Sequence, residues 1–367
     1  MLMVLSLKEM NRFAFFGLIA MIGVAIPSCS RYALMDKVPV EFKEPVKTVR
    51  MECDTSFCLG SPEVLGPNRL QIVTDSILVV AKQPEAASPY FFSAYSIQTS
   101  SYLGSFLAEG RGPGEALWLD IAPVSSTSRV LYARDNSLGI SWEIDVPASL
   151  QAGTGVFFRT VSMPGDLLLW LPLTDSLRYS TDLRRGECLY GVFSAAGEER
   201  KTFCPFPKLN TGQNVTLLSD IATSGGVNGK VAFPMVFFPL IHMLDVESGQ
   251  WRAIAVDKRW RKWKSFLHES ITPERFMKKL QFYIAASSSE DYFFAAYSGR
   301  SLEDWQEGGN GTEIQVFDWE GNYVCRVLVK EDVESMTYDT RTGCLYCIDH
   351  STGRIVRYNL SATLLPV

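Results

Sequence analysis

Short apolar runs separated by turn residues, almost no stretch of sustained helical period, and a degenerate sixfold repeat of paired runs predict an all-β fold from about Val46 onward. The architecture that accounts for all three is a six-bladed β-propeller of four-stranded antiparallel blades, with the ring closed by an N-terminal strand. The composition permits it: at 367 residues, 47% hydrophobic and 20% charged, the chain can bury a large core. A net charge of −5 offers no general attraction to phosphates, so nucleic acid is not an expected partner.

In chain order, residues 1–28 read as a lipoprotein-type signal peptide, 29–45 as a tether and 46–367 as the propeller. Lys8 and Arg12 supply a short cationic region, Phe13 to Ile26 an apolar run, and Pro27-Ser28-Cys29 the expected cleavage position. The apolar run is shorter than the ~20 residues a membrane span needs. Ile26-Pro27-Ser28-Cys29 resembles a bacterial lipobox, which implies lipid attachment at Cys29. Two or more acyl chains would make that anchor stable, where one is marginal. Pro39 and Pro45 mark the stiff end of the tether.

The second strand of each blade is expected at Ile77 to Ala81, Val130 to Arg134, Leu167 to Leu171, Val231 to Val236, Tyr292 to Tyr297 and Leu345 to Asp349. The third strands follow at Phe91 to Ile97, Ile140 to Val146, Leu189 to Ser194, Leu240 to Val246, Glu313 to Trp319 and Ile355 to Leu360. Outer hairpins are expected at Asp245 to Trp251 and Phe317 to Tyr323, each with a glycine after polar turn residues. The last repeat runs out after three strands, and Val46 to Met51 is free to supply its fourth, hiding two edges.

Between the first two blades lies Gly110-Arg111-Gly112-Pro113-Gly114-Glu115, where three glycines and a proline permit a tight turn. This loop, followed by Leu131-Tyr132-Ala133-Arg134-Asp135-Asn136 and Gly139-Ile140, resembles the repeat of NHL-type propellers. Tyr346 to Ile355 repeats its second half. Together with the lipobox, the pattern is similar to the TolB-like six-bladed propeller lipoproteins of Bacteroidetes. The resemblance implies the fold and an envelope location. Cys29 is followed by Ser30-Arg31-Tyr32 and lacks the acidic run of surface-exported relatives, which implies the outer membrane, facing the periplasm.

In a four-stranded meander, turns between second and third strands and connections to the next blade emerge on one face of the ring. The long insertions fall in those classes: Pro172 to Glu187, Gly299 to Thr312, Asp257 to Leu280 and the Gly110 loop. That face is the expected binding site. Its candidate contact residues are Arg111, Glu115, Trp260, Arg261, Trp263 and Trp305, since aromatics among cations stack on sugars or grip acidic partners. Thr272-Pro273-Glu274 reads as the opening of a short helix.

Glu303, Asp304 and Glu307 are weak candidates for a hard cation such as calcium, because the ligand spacing of a dedicated calcium loop is absent. No cofactor is expected. Of eight cysteines, Cys188 with Cys204 and Cys53 with Cys58 are the disulfide candidates. Cys344 and Cys347 have redox spacing, but strand alternation sends positions three apart to opposite faces.

Three histidines and no nucleophile elbow give little support to enzymatic catalysis. The expected function is therefore a lipid-anchored binding or scaffolding module for an envelope protein or glycan. The alternative is a metal-dependent hydrolase, lactonase- or glycosidase-like, with carboxylates such as Asp120, Asp220 and Asp339 near the central channel.

Overall fold

A computed structural model describes residues 40–60, 66–86, 88–122, 127–135, 138–163, 170–174, 176–182, 189–203, 225–227, 229–262 and 272–364. Six small, mainly antiparallel sheets form a six-bladed propeller. From the inner strand outward, blade one is Pro67–Val73, Ile77–Lys82, Tyr90–Ser96 and Tyr102–Glu109. Blade two is Asp120–Ala122, Val130–Asp135, Ile140–Asp145 and Phe157–Ser162. Blade three is Leu171–Pro172, Leu177–Asp182, Leu189–Ser194 and Glu199–Phe203. Blade four is Gly225–Val227, Lys230–Pro234, Ile241–Asp245 and Trp251–Ala255. Blade five is Leu280–Ser288, Tyr292–Ser301, Thr312–Asp318 and Tyr323–Val329. Blade six is Val333–Asp339, Cys344–Asp349 and Ile355–Asn359.

The strand sequences follow from their place in the ring. A middle strand is covered on both faces by neighbouring blades, so it reads as an unbroken apolar run rather than an alternating one. Cys344–Asp349 is buried at every position, whereas Tyr323–Val329, an outer strand, alternates. Cys344 packs between blades six and one and Cys347 between five and six, the opposite faces that their spacing predicts. Both outer hairpins form as expected, with Gly249 and Gly321 at φ of 70° and 82°.

Closure of the ring differs from the expectation. Val46 to Met51 does not complete blade six. Instead Lys47–Arg50 adds in parallel to the outer strand of blade five, and Val40–Phe42 adds in parallel to that of blade four. The chain then crosses the outer edge of blade six, where the Asp54 amide donates to the Arg357 carbonyl at 2.8 Å and the two side chains form an ion pair. Alternation in Lys-Thr-Val-Arg specifies a half-buried edge strand, but neither its partner nor its direction. The N-terminal segment is thus a strap over three consecutive blades.

Blade three also differs. The run expected as its second strand lies outside the described residues except for Trp170 and Leu171, and Leu171 belongs to the inner strand. The second strand is Leu177–Asp182, within the segment read as a loop. Its Arg178 and Ser180 are fully buried, so a polar-looking sequence forms an interior strand. Arg178 pairs with Glu143 of blade two and lies 5.2 Å from the Tyr132 ring.

Apolar clusters fill the interfaces between blades one and two, three and four, four and five, five and six, and six and one. Among the described residues, the interface between blades two and three carries only Val161, Trp170 and Phe193 as its buried apolar cluster.

His242, 2% exposed in blade four beside Tyr190 and Trp251, is a core residue. Burial pushes its pKa down from 6.5 to about 4. The folded chain then binds fewer protons than the unfolded chain between those values. The stability this imidazole contributes is complete above its unfolded pKa and is lost as pH falls toward the folded one. His242→Leu is expected to flatten the dependence of urea-unfolding free energy on pH by about 1.4 kcal/mol per unit between roughly pH 6 and 4.5.

Candidate functional site

The meander places the turns between second and third strands and the blade-to-blade connections on one face, as expected. On that face the connection from blade four to blade five begins with a 3₁₀ turn, Lys258–Lys262, and ends in a short helix, Pro273–Met277. Thr272 caps this helix, accepting from the Arg275 amide at 3.3 Å, with Pro273 and Glu274 in the first turn as the sequence indicates. The insertion in blade five is a helix, Leu302–Glu307, capped by Ser301.

A cleft of about 480 Å³ opens where the strap, the 3₁₀ turn and blade five meet. Phe42 of the strap forms one wall, Val256 to Arg259 the floor, and Tyr297, Glu313 and Arg326 of blade five the other wall. Asp257 organises it. Its Oδ1 accepts from the Arg259 amide at 2.8 Å, and its Oδ2 accepts from Arg259 Nε at 2.6 Å and the Tyr297 hydroxyl at 2.5 Å. Arg259 also donates to the Tyr297 hydroxyl at 2.9 Å and the Gly299 carbonyl at 3.2 Å, and its guanidinium lies 4.9 Å from the Phe282 ring.

Burial opposes the charge on Asp257, but hydrogen bonds from Arg259 and Tyr297 outweigh it and hold the carboxyl below its usual range. Burial, reinforced by the Asp257 carboxylate, pushes the Tyr297 hydroxyl well up. A second carboxylate, Glu313, accepts from Gln315 at 2.8 Å and Tyr323 at 3.1 Å and pairs with Arg326 at 3.3 Å. Lys258 is exposed and reaches over Phe42 at 6.0 Å. The cleft thus offers fixed carboxylates, fixed guanidiniums, a phenol and an aromatic wall.

The sequence-derived candidates separate into groups. Arg111 is exposed at the tip of the glycine loop. Glu115 folds back, its Oε2 accepting from the Gly112 amide at 2.7 Å, and a side chain at Gly110 would collide with that carboxylate. Glu115 therefore acts as the staple of its own loop. Trp260 packs partly buried against the core of blades three and four, with Arg261 exposed above it, 5.8 Å from the ring.

Trp305 is not a surface anchor: it is 6% exposed and stacks on His350 at 3.8 Å, joining the blade-five helix to blade six. Glu303, Asp304 and Glu307 are exposed on that helix, and Asp304 accepts from the Ser301 hydroxyl at 2.5 Å. Glu303 and Asp304 are first-turn acids of a capped helix, matched to its dipole, while Glu307 ends that helix. Among the described residues, no three acids, histidines or cysteines gather into a group that could hold a metal ion.

Cys53 and Cys58 are separate thiols, so the small disulfide expected between them is not formed. Cys29, Trp263, Cys188, Cys204 and Asp220 lie outside the described residues. Of the inner-strand acids, Asp339 forms a turn with the Arg341 amide and Thr342 hydroxyl, and Asp120 pairs with Arg134.

Sequence reasoning missed the Asp257, Arg259 and Tyr297 constellation, though Asp-x-Arg at a strand end is a turn signal. It also missed Asp332, a buried carboxylate that binds Arg300 at 3.0 Å and Ser351 at 2.8 Å and ties blade five to blade six. Tyr297 lies 40 positions from Asp257, and Arg300 and Ser351 lie 32 and 19 positions from Asp332.

No protein-family model matches the chain, and no curated protein is similar to it. Among solved structures, the chain is similar to a member of the DUF4221 family from Bacteroides vulgatus. The two share 10% identity over 80% of this chain and 91% of that one, with a TM-score of 0.53. It is also similar to a Bacteroides fragilis protein described as exported, at 11% identity over 85% and 80% of the two chains, with a TM-score of 0.46. At these identities the likeness concerns the fold.

The hydrogen bonds around Asp257 set the rigidity of the cleft. Tyr297→Phe removes one donor and is expected to cost about 1 kcal/mol in urea unfolding. Asp257→Ala strands three donors in a partly buried site and is expected to cost more, about 2 kcal/mol.

Proposed function

We propose that the chain is a binding or scaffolding module of the cell envelope. A lipid on Cys29 would hold it to the outer membrane facing the periplasm, and the connection face would meet an envelope protein or glycan. The observation that carries the reading is the cleft of about 480 Å³, within the range of ligand sites. Its polar groups are locked by one another rather than by solvent. Such pre-ordering lowers the entropy a ligand must lose on binding.

A hydrolase reading draws less support. Asp120 is committed to Arg134 and Asp339 to a hairpin turn, and among the described residues the two do not gather with other acids into a group that could hold a metal ion. Lys258, which lines the cleft, and Arg261 of the same 3₁₀ turn are exposed cations, which favours an acidic or hydroxyl-rich partner. The N-terminal signal pattern, with its cysteine eleven positions before Val40, supports the membrane tether.

The test is in situ cross-linking of the full, membrane-held protein, compared with the charge-reversed variant Lys258→Glu/Arg261→Glu. Both residues are exposed, so the fold is expected to survive. A partner that occupies the cleft is captured by the native protein and drops by about tenfold or more in the variant. An identical capture profile for both proteins counts against this face. Cys29→Ala is expected to move the protein from the membrane fraction to the soluble periplasmic fraction; retention at the membrane overturns the anchor.

A further inference from the structure

A second polar cluster lies where blade one meets blade two, on the same face but close to the ring axis. Arg134, near the end of the second strand of blade two, is 7% exposed, and its Nη2 donates to Asp120 Oδ2 at 2.9 Å. Arg69 reaches across from the inner strand of blade one. Its Nε lies 3.9 Å from Asp120 Oδ1, within ion-pair range but beyond hydrogen-bond length. Its Nη1 donates to the Asn68 carbonyl at 3.2 Å. Arg134 Nη1 and Arg69 Nε are shielded from solvent and donate to no acceptor among the described residues.

Two guanidiniums therefore share one carboxylate, leaving a net charge of +1 and buried donors to spare. A buried charged donor without an acceptor is costly, so this arrangement favours whatever supplies the missing acceptor. The strand directions put all three residues at the start of inner strands or the end of a second strand, which is the connection face. Arg69 and Asp120 remain partly accessible, with side-chain exposures of 32% and 18%.

We propose that Arg69 and Arg134 form a binding site for the carboxylate of a small acidic ligand at the mouth of the central channel, with Asp120 setting its selectivity. A carboxylate carries one negative charge, which balances the excess, and its two oxygens match guanidinium forks. A phosphate carries more charge than the pair can neutralise beside Asp120, whose like charge repels it. Asp120 thus holds Arg134 in place and penalises ligands of higher charge. This site is separate from the cleft at blade five and stands whether or not that cleft binds a partner.

Thermal unfolding of the full chain in sodium chloride, sodium acetate and sodium phosphate at equal ionic strength tests the proposal. Acetate is expected to raise the Tm over chloride in a saturable way, and phosphate to do so less. Arg69→Gln, at a partly exposed side chain, is expected to abolish the acetate-specific shift while the protein still unfolds cooperatively. Asp120→Asn removes the competing carboxylate with little change in shape. It is expected to tighten acetate binding by about tenfold and to relax the discrimination against phosphate.

An ion pair that serves the fold alone predicts the opposite pattern, in which Asp120→Asn only lowers the Tm and no anion responds. Equal Tm values in acetate and chloride for both the native chain and Asp120→Asn overturn the site. An acetate shift unchanged in Arg69→Gln is a general salt effect and also overturns it. A phosphate shift equal to that of acetate in the native protein overturns the assignment to carboxylates.

Discussion

Every part of the molecule depends on covering the edges of its inner strands. A blade is stable only while both its faces are packed, and the inner strand of each blade presents unpaired amides toward its neighbour. Here hydroxyls supply the acceptors. Ser335 Oγ accepts from the Leu70 amide at 3.1 Å and Thr337 Oγ1 from the Ile72 amide at 3.2 Å, joining blade six to blade one. Ser287 Oγ accepts from the Tyr338 amide at 3.1 Å, joining blade five to blade six. These bonds sit where the chain ends must meet, and they fix the register between blades that are distant in sequence. Residues separated by 265 positions are held together at this seam.

The strap works on the same requirement from outside. Blade six has three strands among the described residues, and its outer edge is crossed by Asp54 to Phe57, with Phe57 edge-on to Tyr346 at 5.4 Å. Blades four and five gain a fifth, parallel strand from the same segment. One stretch of chain thus staples three blades circumferentially. Phe42 of that stretch is also a wall of the cleft, so the element that secures the ring shapes the site. A tether leaving from Val40 would start beside the cleft, on the rim of blade four.

Legibility in the sequence followed how local each feature is. The middle strands were readable because burial on both faces makes them continuous apolar runs, as at Ile77–Lys82 and Cys344–Asp349. Hairpins were readable from single glycines, and the helix at Pro273–Met277 from its cap. The second strand of blade three was not, because Arg178 is stabilised there by Glu143, 35 positions away. The strap's partners were unreadable for the same reason. In the site, the order reversed: exposed-looking aromatics such as Trp305 proved to be packing, while Asp257 and Tyr297, 40 positions apart, form the rigid part of the cleft. Composition identifies residues able to bind, whereas only the fold decides which are already occupied.

Among the described residues, the interface between blades two and three packs a buried ion pair beside a small apolar cluster, and that has a physical cost. A buried ion pair gains little over well-packed hydrophobic residues, because desolvation offsets most of the attraction. Arg178 with Glu143 occupies space that leucine or phenylalanine fills elsewhere in this ring. Stability alone does not explain that choice, since the remaining interfaces show that this chain can build apolar ones. Polar groups fixed in a low-dielectric crevice do, however, recognise charge far more strongly than the same groups on the surface. Among the described residues, the ion pair of this interface is therefore better suited to recognising charge than to holding the ring together.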